Sequence, residues 1–400
     1  MVNKTDNSVI ACDVVVVGAG LVGLAAAIAL ADQGKRVVLV DAKQMDARQD
    51  NFKQTKTWDS RIYALTPATE DWLQSLGVWP LVKQARVNDV ETIALWSPES
   101  ETPLNLLAED ANLAKLACIV ENKNLMQALW QKIHALDVPV MMNHTCHSLE
   151  CNEDTITLNL ENGSKIAATL LVAADGANSF VRQRLAIATN GKSFDQKALV
   201  ANYLVENDHG NVARQWFSPH STLALLPLPD KHVSMVWSAS NELIDELSRL
   251  TEQQLAEQVQ AQTNNELGIL NPVGEALSFE LKQITASRLI ADRVVLVGDA
   301  AHQVHPMAGQ GANLGFRDII ALQALIASSH HLQDIGDVNF LRKYERIRKA
   351  DILSMNTLTS GLDDWFSRES LAVKKMTVWG LAQLNKYPNI KNILIKQAVA

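Results

Sequence analysis

Four hundred residues can bury a sizeable core and usually divide into two or three structural units. An apolar fraction of 47% beside 20% charged residues is that of a globular chain, not a disordered one. The net charge of −8 argues against a nucleic-acid partner, which calls for a dominant basic surface.

The opening MVNKTDNSVIACD is short, polar and acid-bearing, unlike a signal or transit peptide. No stretch reaches the roughly eighteen uninterrupted apolar residues of a membrane span. The expectation is a cytoplasmic protein, with peripheral contact to the inner membrane left open. Asp13–Gly18 reads as a strand buried on both faces of a parallel sheet. Leu21–Gln33 reads as an Ala-rich helix closed by Gly34, and Arg36–Asp41 as a second buried strand. This strand–helix–strand unit is about as long as one right-handed crossover.

The first turn of that unit is Gly18-x-Gly20-x-x-Gly23. Gly18 permits the tight turn, Gly20 lets backbone approach a pyrophosphate, and Gly23 lets helix and strand pack closely. The helix N-terminus then offers free N–H groups and a positive dipole end to phosphate. Asp41 closes the second strand where a ribose would hydrogen-bond. The plain alternative is an ordinary strand-end carboxylate. The combination indicates an adenine dinucleotide with an unphosphorylated ribose, FAD or NAD in preference to NADP.

Cys12, Cys118, Cys146 and Cys151 form no C-x-x-C pair. His144, Cys146, His147 and Cys151 lie where an extended chain enters a hairpin and alternate between faces, so no metal is expected. That hairpin spans Asp154–Asp175, with alternation over Thr155–Leu160, a turn at Asn162-Gly163 and an apolar return over Leu170–Ala174.

Short extended stretches between 198 and 240 predict an antiparallel sheet inserted into the first unit, and Asn241–Gln262 a polar helix. Arg293–Val297 restores the buried-parallel pattern and leads into Gly298-Asp299-Ala300-Ala301-His302. The chain continues as HPMAGQGANLGFRD over 305–318, with helix resuming near Gly311–Asn313. A carboxylate at Asp299 suits the hydroxyls of a ribityl chain, and small residues at Ala308, Gly309 and Gly311 allow backbone against a flat ring. The dipole of the following helix would stabilise charge on a reduced flavin.

The chain reads as helical from Gly361 to its end, and after Glu369 it carries five lysines (Lys374, Lys375, Lys386, Lys391, Lys396) and no acid. This basic segment fits an anionic membrane surface, a solvated face or packing on the acidic body.

Together these motifs resemble the class A flavoprotein monooxygenases, the group that includes para-hydroxybenzoate hydroxylase. The glycine fingerprint, Ala174-Asp175-Gly176 with Ser179 and Arg182, and GDAAH carry the likeness. The string at 305–318 is similar to the ubiquinone-biosynthesis aromatic-ring hydroxylases. So are Val120-Glu121-Asn122 before Leu125 and Leu129, Asp59-Ser60-Arg61 before Ala-Leu-Thr, Gly361–Phe366, and Tyr387-Pro388 with Lys391. The likeness spans nearly the whole chain.

It implies an α/β fold, with a Rossmann-like FAD-binding domain and an inserted antiparallel-sheet substrate domain. The FAD domain would comprise residues 1–180 and 290–355. The substrate domain would cover 181–289, with part of 60–115 contributing, and helices would fill 356–400. Gly18, Gly20, Gly23, Asp41, Arg61, Asp175, Gly298, Asp299, Pro306, Gly309, Gln310, Gly311 and Asn313 would bind FAD. Many class A relatives carry Arg three residues before the leucine matching Leu125, where this chain has Asn122.

The resemblance also implies that NAD(P)H reduces the flavin and leaves, fitting a chain with only one glycine fingerprint. The reduced flavin would capture dioxygen at its 4a carbon and pass oxygen to an electron-rich ring. The implied substrate is a polyprenylated phenol of ubiquinone biosynthesis, and the implied partners are a membrane surface and a ubiquinone-biosynthesis complex. The rival readings are a hydroxylase of a small soluble phenol, a flavin reductase of prenyl double bonds, and a redox-silent flavoprotein scaffold. No substrate acid or base is identifiable. His302 and His305 fit structural hydrogen bonds, and Tyr203, Trp216 and Trp237 fit core packing.

Overall fold

The apolar run Val14–Val17 is buried along its whole length, so neither face of this strand meets water. That double cover is the mark of a parallel sheet wrapped by helices. In a computed structural model, residues 9–44, 58–97, 102–218, 221–303, 311–330, 332–367 and residue 392 are described.

The chain starts with β1 (Val9–Val17), α1 (Leu21–Asp32) and β2 (Val37–Asp41). Next come β3 (Ile62–Leu65), α2 (Pro67–Ser75), α3 (Trp79–Val82), β4 (Val87–Val90), β5 (Thr92–Trp96) and β6 (Leu104–Leu107). These are followed by β7 (Ala117–Glu121), α4 (Asn122–Ala135), β8 (Val140–Met142), β9 (Cys146–Cys151), β10 (Ile156–Leu160), β11 (Lys165–Ala173) and α5 (Phe180–Arg184). The middle of the chain holds β12 (Thr189–Val205), β13 (Val212–Ser218), β14 (Ser221–Leu228) and β15 (His232–Ser240). After them lie α6 (Asn241–Leu247), α7 (Glu252–Gln262) and β16 (Leu270–Ala286). The last elements are β17 (Ile290–Ala291), β18 (Val294–Leu296), β19 (His302–Gln303), α8 (Gly311–Ala327) and α9 (Val338–Ser367).

The first sheet has the order β17-β18-β11-β1-β2-β8, with β10 and β9 extending from β11. Strands β18, β11, β1, β2 and β8 run parallel, so their C-terminal ends share one edge. α1 is apolar all round, and Leu24–Leu30 are fully buried where it packs between the sheet, α4 and α8.

The second sheet has the order β19-β16-β12-β15-β14-β13-β5-β6 and is antiparallel except between β13 and β5. One face carries Leu199, Tyr203, Leu223, Met235 and Trp237 and packs on the apolar sides of α6 and α7. Trp216 lies in that core with its ring stacked on Trp96 at 4.7 Å. The single helix expected over Asn241–Gln262 is in fact two. Thr251 accepts from the Gln254 N–H and Gln254 reaches back to the Thr251 N–H, a capping box that starts α7 afresh.

Two joints position the sheets. Gln303 and His302 of β19 pair with Ile284 and Thr285 of β16, so the chain leaving β18 enters the second sheet at once. The third sheet, β3-β7-β4, packs Ile62 and Ile119 against Leu226 and Leu228 of β14.

Candidate functional site

Four strand ends meet at one edge of the first sheet. Gly18 N–H donates to the Val40 carbonyl, Ala174 N–H to Val17 and Val297 N–H to Ala173. The residues just beyond, Gly18–Gly20, Asp41, Asp175 and Asp299, therefore come together, where ligands bind in open α/β sheets.

The three glycines differ in what surrounds them. Gly18 sits at φ +106°, and a Cβ there would lie 2.3 Å from the Ala174 carbonyl oxygen. A Cβ at Gly23 would lie 1.8 Å from the Gly18 oxygen, so α1 can approach β1 only because that side chain is missing. A Cβ at Gly20 would meet nothing within 4 Å, leaving space over the α1 N-terminus, which no side chain caps. That combination is an open cradle of N–H groups at a positive dipole end.

Asp41 is held in place by its neighbours. Its Oδ2 accepts from Ala19 N–H at 2.6 Å and its Oδ1 from Lys43 N–H at 2.7 Å, which leaves remaining lone pairs directed outward. Asp175 Oδ2 accepts from Val181 N–H at 3.1 Å, while its buried Oδ1 accepts no hydrogen bond. Burial pushes the Asp175 carboxyl above its ordinary pKa, against the pull of the Ser179 hydroxyl and nearby backbone N–H groups. Burial and the carboxylates of Asp175 and Asp41 push the Cys146 thiol up to about 12, so it is not a nucleophile at neutral pH.

Gly298 follows β18 at φ +56° and packs on Val22 of α1, as does Gly315 of α8. Asp299, the next residue, is exposed. Across from it lies the Asp59–Tyr63 segment. Burial raises the Tyr63 pKa, lowered in part by Arg61 and raised further by Asp299 and Asp59, so the phenol stays protonated. Its hydroxyl donates to Asn122 Oδ1 at 3.4 Å. Arg61 is exposed beside it.

The structure thus gathers Gly18, Gly20, Gly23, Asp41, Asp175, Gly298 and Asp299, while Arg61 is exposed beside Tyr63. Gly311 is the exposed first residue of α8. Asn313 is buried, donating to the Ala64 carbonyl at 2.7 Å and accepting from Thr66 N–H at 3.1 Å, so its amide ties α8 to β3 and α2. Pro306, Gly309 and Gln310 lie outside the described residues.

Glu121 and Asp59, which the sequence motifs include without a role, and Asn202, which they do not include, hold this arrangement. Glu121 is 1% exposed, accepts from the Asp59 N–H and pairs with Arg86. Asp59 in turn accepts from the N–H groups of Arg61 and Lys123. Asn202 of β12 donates to the Asp59 carbonyl at 3.1 Å. The signal for Glu121 was a carboxylate at the end of an apolar strand; nothing local marks Asn202.

A model of the FAD binding domain family matches residues 11–356. The 3-demethoxyubiquinol 3-hydroxylase of Escherichia coli (strain K12) is 32% identical over 392 residues, covering 97% of this chain and 98% of its own. The ubiquinone hydroxylase UbiL of Rhodospirillum rubrum is 30% identical, covering 97% and 89%. The chain belongs to the FAD-binding ubiquinone-biosynthesis ring hydroxylases. Among solved structures, the hydroxylase shares its fold with p-nitrophenol 4-monooxygenase PnpA from Pseudomonas putida DLL-E4 (TM-score 0.78, 17% identity, 98% and 99% covered). Klebsiella pneumoniae HpxO complexed with FAD and uric acid is similar (TM-score 0.73, 18% identity, 99% of both chains covered).

The enzyme is an FAD-dependent monooxygenase of a family in which NAD(P)H is the typical reductant. The open Gly20 cradle, the unpartnered Asp175 oxygen and the exposed Asp299 all fit FAD.

Two outcomes follow from the geometry. Gly23→Ala destabilises the apoprotein by about 3 kcal/mol or more, because the clash is with backbone that cannot move aside. Gly20→Ala leaves the apoprotein melting temperature within about 2 °C yet weakens FAD binding about tenfold. Thermal melts and FAD fluorescence titration separate the two effects.

Asp175→Asn should raise the apoprotein melting temperature at pH 8. A raised native pKa means that the buried carboxylate costs stability above that pKa and that the cost fades as pH falls toward the unfolded value. Melts taken from pH 8 down to the ordinary carboxylate range near pH 4 should therefore show the Asn advantage shrinking as pH falls; an advantage that grows on acidification, or that is undiminished at the lowest pH, would be contrary.

Proposed function

We propose that this hydroxylase adds oxygen to the aromatic ring of a polyprenylated phenol in ubiquinone biosynthesis. The observation that carries the reading is the inner face of the second sheet. Strand pairing aligns Leu277, Val200, Val236 and Ala224 in one row and Phe279, Ala198, Ser238 and Thr222 in the next. This face also carries Asn202, which reaches Asp59, so it is turned toward the Asp59–Tyr63 segment. Leu277 is 52% exposed and Phe279 46%, a large apolar offering for an interior-facing surface. An isoprenoid chain supplies matching apolar area, about 25 cal/mol per Å² removed from water.

FAD, when bound, supplies the redox chemistry that activates dioxygen. The chain's part is placement. The α1 N-terminus and Gly20 would hold pyrophosphate, Asp41 a ribose, and Asp299 the ribityl hydroxyls. Tyr63, kept protonated and engaged with Asn122, presents a hydrogen-bonding group opposite Asp299. Leu277 and Phe279 of the sheet face would exclude water once an apolar substrate covers them.

The test uses holoenzyme, NAD(P)H, isotope-labelled dioxygen and a phenol with or without its prenyl chain. One labelled oxygen should enter the ring, and Leu277→Asp should raise KM for the prenylated phenol at least about tenfold while sparing the unprenylated one. Reductant consumption without incorporation, or a small phenol preferred by both enzymes, would overturn the proposal.

Membrane contact is part of the same proposal, although Lys374, Lys375, Lys386, Lys391 and Lys396, on which the sequence expectation rests, lie outside the described residues. Among the described residues no helix is long and apolar enough to cross a membrane. The exposed face of α9 instead lines up Arg342, Lys343, Arg346, Ile347 and Leu353, with Ile347 58% and Leu353 68% exposed. Cations flanking exposed aliphatics on one helical face suit an anionic lipid surface. Co-sedimentation with anionic vesicles should exceed that with neutral ones and fall when Arg342, Lys343 and Arg346 become Glu. Equal sedimentation of the two proteins would point to a protein complex as the partner of this face.

A further inference from the structure

The buried face of α8 carries an ion that the chemistry above does not use. Asp318 is 0% exposed, on a helix face otherwise lined by Leu314, Leu322 and Leu325. An isolated carboxylate there would cost several kcal/mol and would take up a proton instead. Here it stays ionised. Burial pushes its pKa up, but His302, Arg348 and the Gly298 N–H outweigh that and leave it below the ordinary carboxylate value.

The partners come from three other segments. Oδ2 accepts from the Gly298 N–H at 2.8 Å and bonds His302 Nε2 at 2.7 Å, while Oδ1 accepts from Arg348 Nε at 2.6 Å. Arg348 of α9 also donates to the Leu314 carbonyl at 3.3 Å and pairs with Asp351, which pairs with Arg317 of α8. One carboxylate therefore joins the turn after β18, the strand β19, helix α8 and helix α9.

Two of these bonds bracket the exposed carboxylate of the cradle. Gly298 precedes Asp299 directly and holds a left-handed φ of +56°, and His302 follows three residues later. Ala301 N–H donates to the Gly298 carbonyl, so the whole turn is pinned between the two contacts with Asp318. We infer that Asp318 is the positioning residue for FAD in this hydroxylase. It acts through Gly298 and His302 to fix where Asp299 stands, while Arg348 Nε engages its other oxygen.

A role confined to core stability would lower the melting temperature and leave cofactor affinity alone. Positioning moves cofactor affinity and the flavin's surroundings. The experiment titrates apoprotein with FAD by fluorescence and records the visible circular dichroism of the bound flavin alongside apoprotein melts. Asp318→Asn keeps the size but cannot serve two donors and balance Arg348, and it should weaken FAD binding at least tenfold and alter the flavin dichroism. Should that variant fail to fold, the His302 pair decides. His302→Leu should weaken FAD binding at least fivefold, and His302→Gln, which keeps an N–H donor, should recover it to within twofold. FAD affinity and dichroism unchanged in His302→Leu, or equal impairment in His302→Gln and His302→Leu, would overturn the assignment.

Discussion

The close approach of α1 to the β1–β11 pair is the constraint on which the rest of the molecule depends. Gly23 nearly touches the Gly18 carbonyl, and Gly18 the Ala174 carbonyl. These distances draw helix and strands together until the strand ends, the helix N-terminus and the Asp175 turn form one edge. A single methyl group in that stack would push α1 outward. The cradle over Gly20, the registration of Asp41 against Ala19 and the seat of Val22 under Gly298 would all shift with it. Close packing transmits such displacements instead of absorbing them.

Charge is used at this edge in two ways. Asp41 and Asp299 face outward, where a ligand can meet them. Glu121 and Asp318 are buried and fully engaged, each gathering N–H or guanidinium groups from segments far apart in the chain. Buried ion pairs add little net stability compared with apolar packing, since desolvation offsets most of the attraction. Their hydrogen-bond directions do fix geometry. Glu121 sets the Asp59–Arg61 segment on one side of the site, and Asp318 sets the Gly298–Asp299 turn on the other.

Much of this was legible in the sequence where the relevant chemistry is local. The spacing of Gly18, Gly20 and Gly23 between two apolar runs encodes turn, approach and packing within six residues. Asp299 after a buried strand is similarly self-announcing. The doubly buried strands and the Asn162-Gly163 hairpin turn follow from periodicity and turn preference alone. Asp318 is different, because its partners lie 16, 20 and 30 residues away and the helix hides it among leucines. Asn202 reaches a carbonyl 143 residues distant, a contact that no local pattern encodes. The division of Asn241–Gln262 was readable in principle, since Thr251 and Gln254 have capping-box spacing. The polar character shared by both halves concealed it.

The unpartnered oxygen of Asp175 bears on the life of the protein before it has met its cofactor. A buried carboxylate oxygen that accepts no well-formed hydrogen bond, with only the pull of the nearby Ser179 hydroxyl and backbone N–H groups, is a standing cost to the empty chain. A ligand that binds only the folded form lowers the population of opened molecules by one plus its concentration over Kd. Cellular proteases sample that opened population. Flavin supply would therefore set how long each newly made chain survives, and molecules that stay empty would be cleared first.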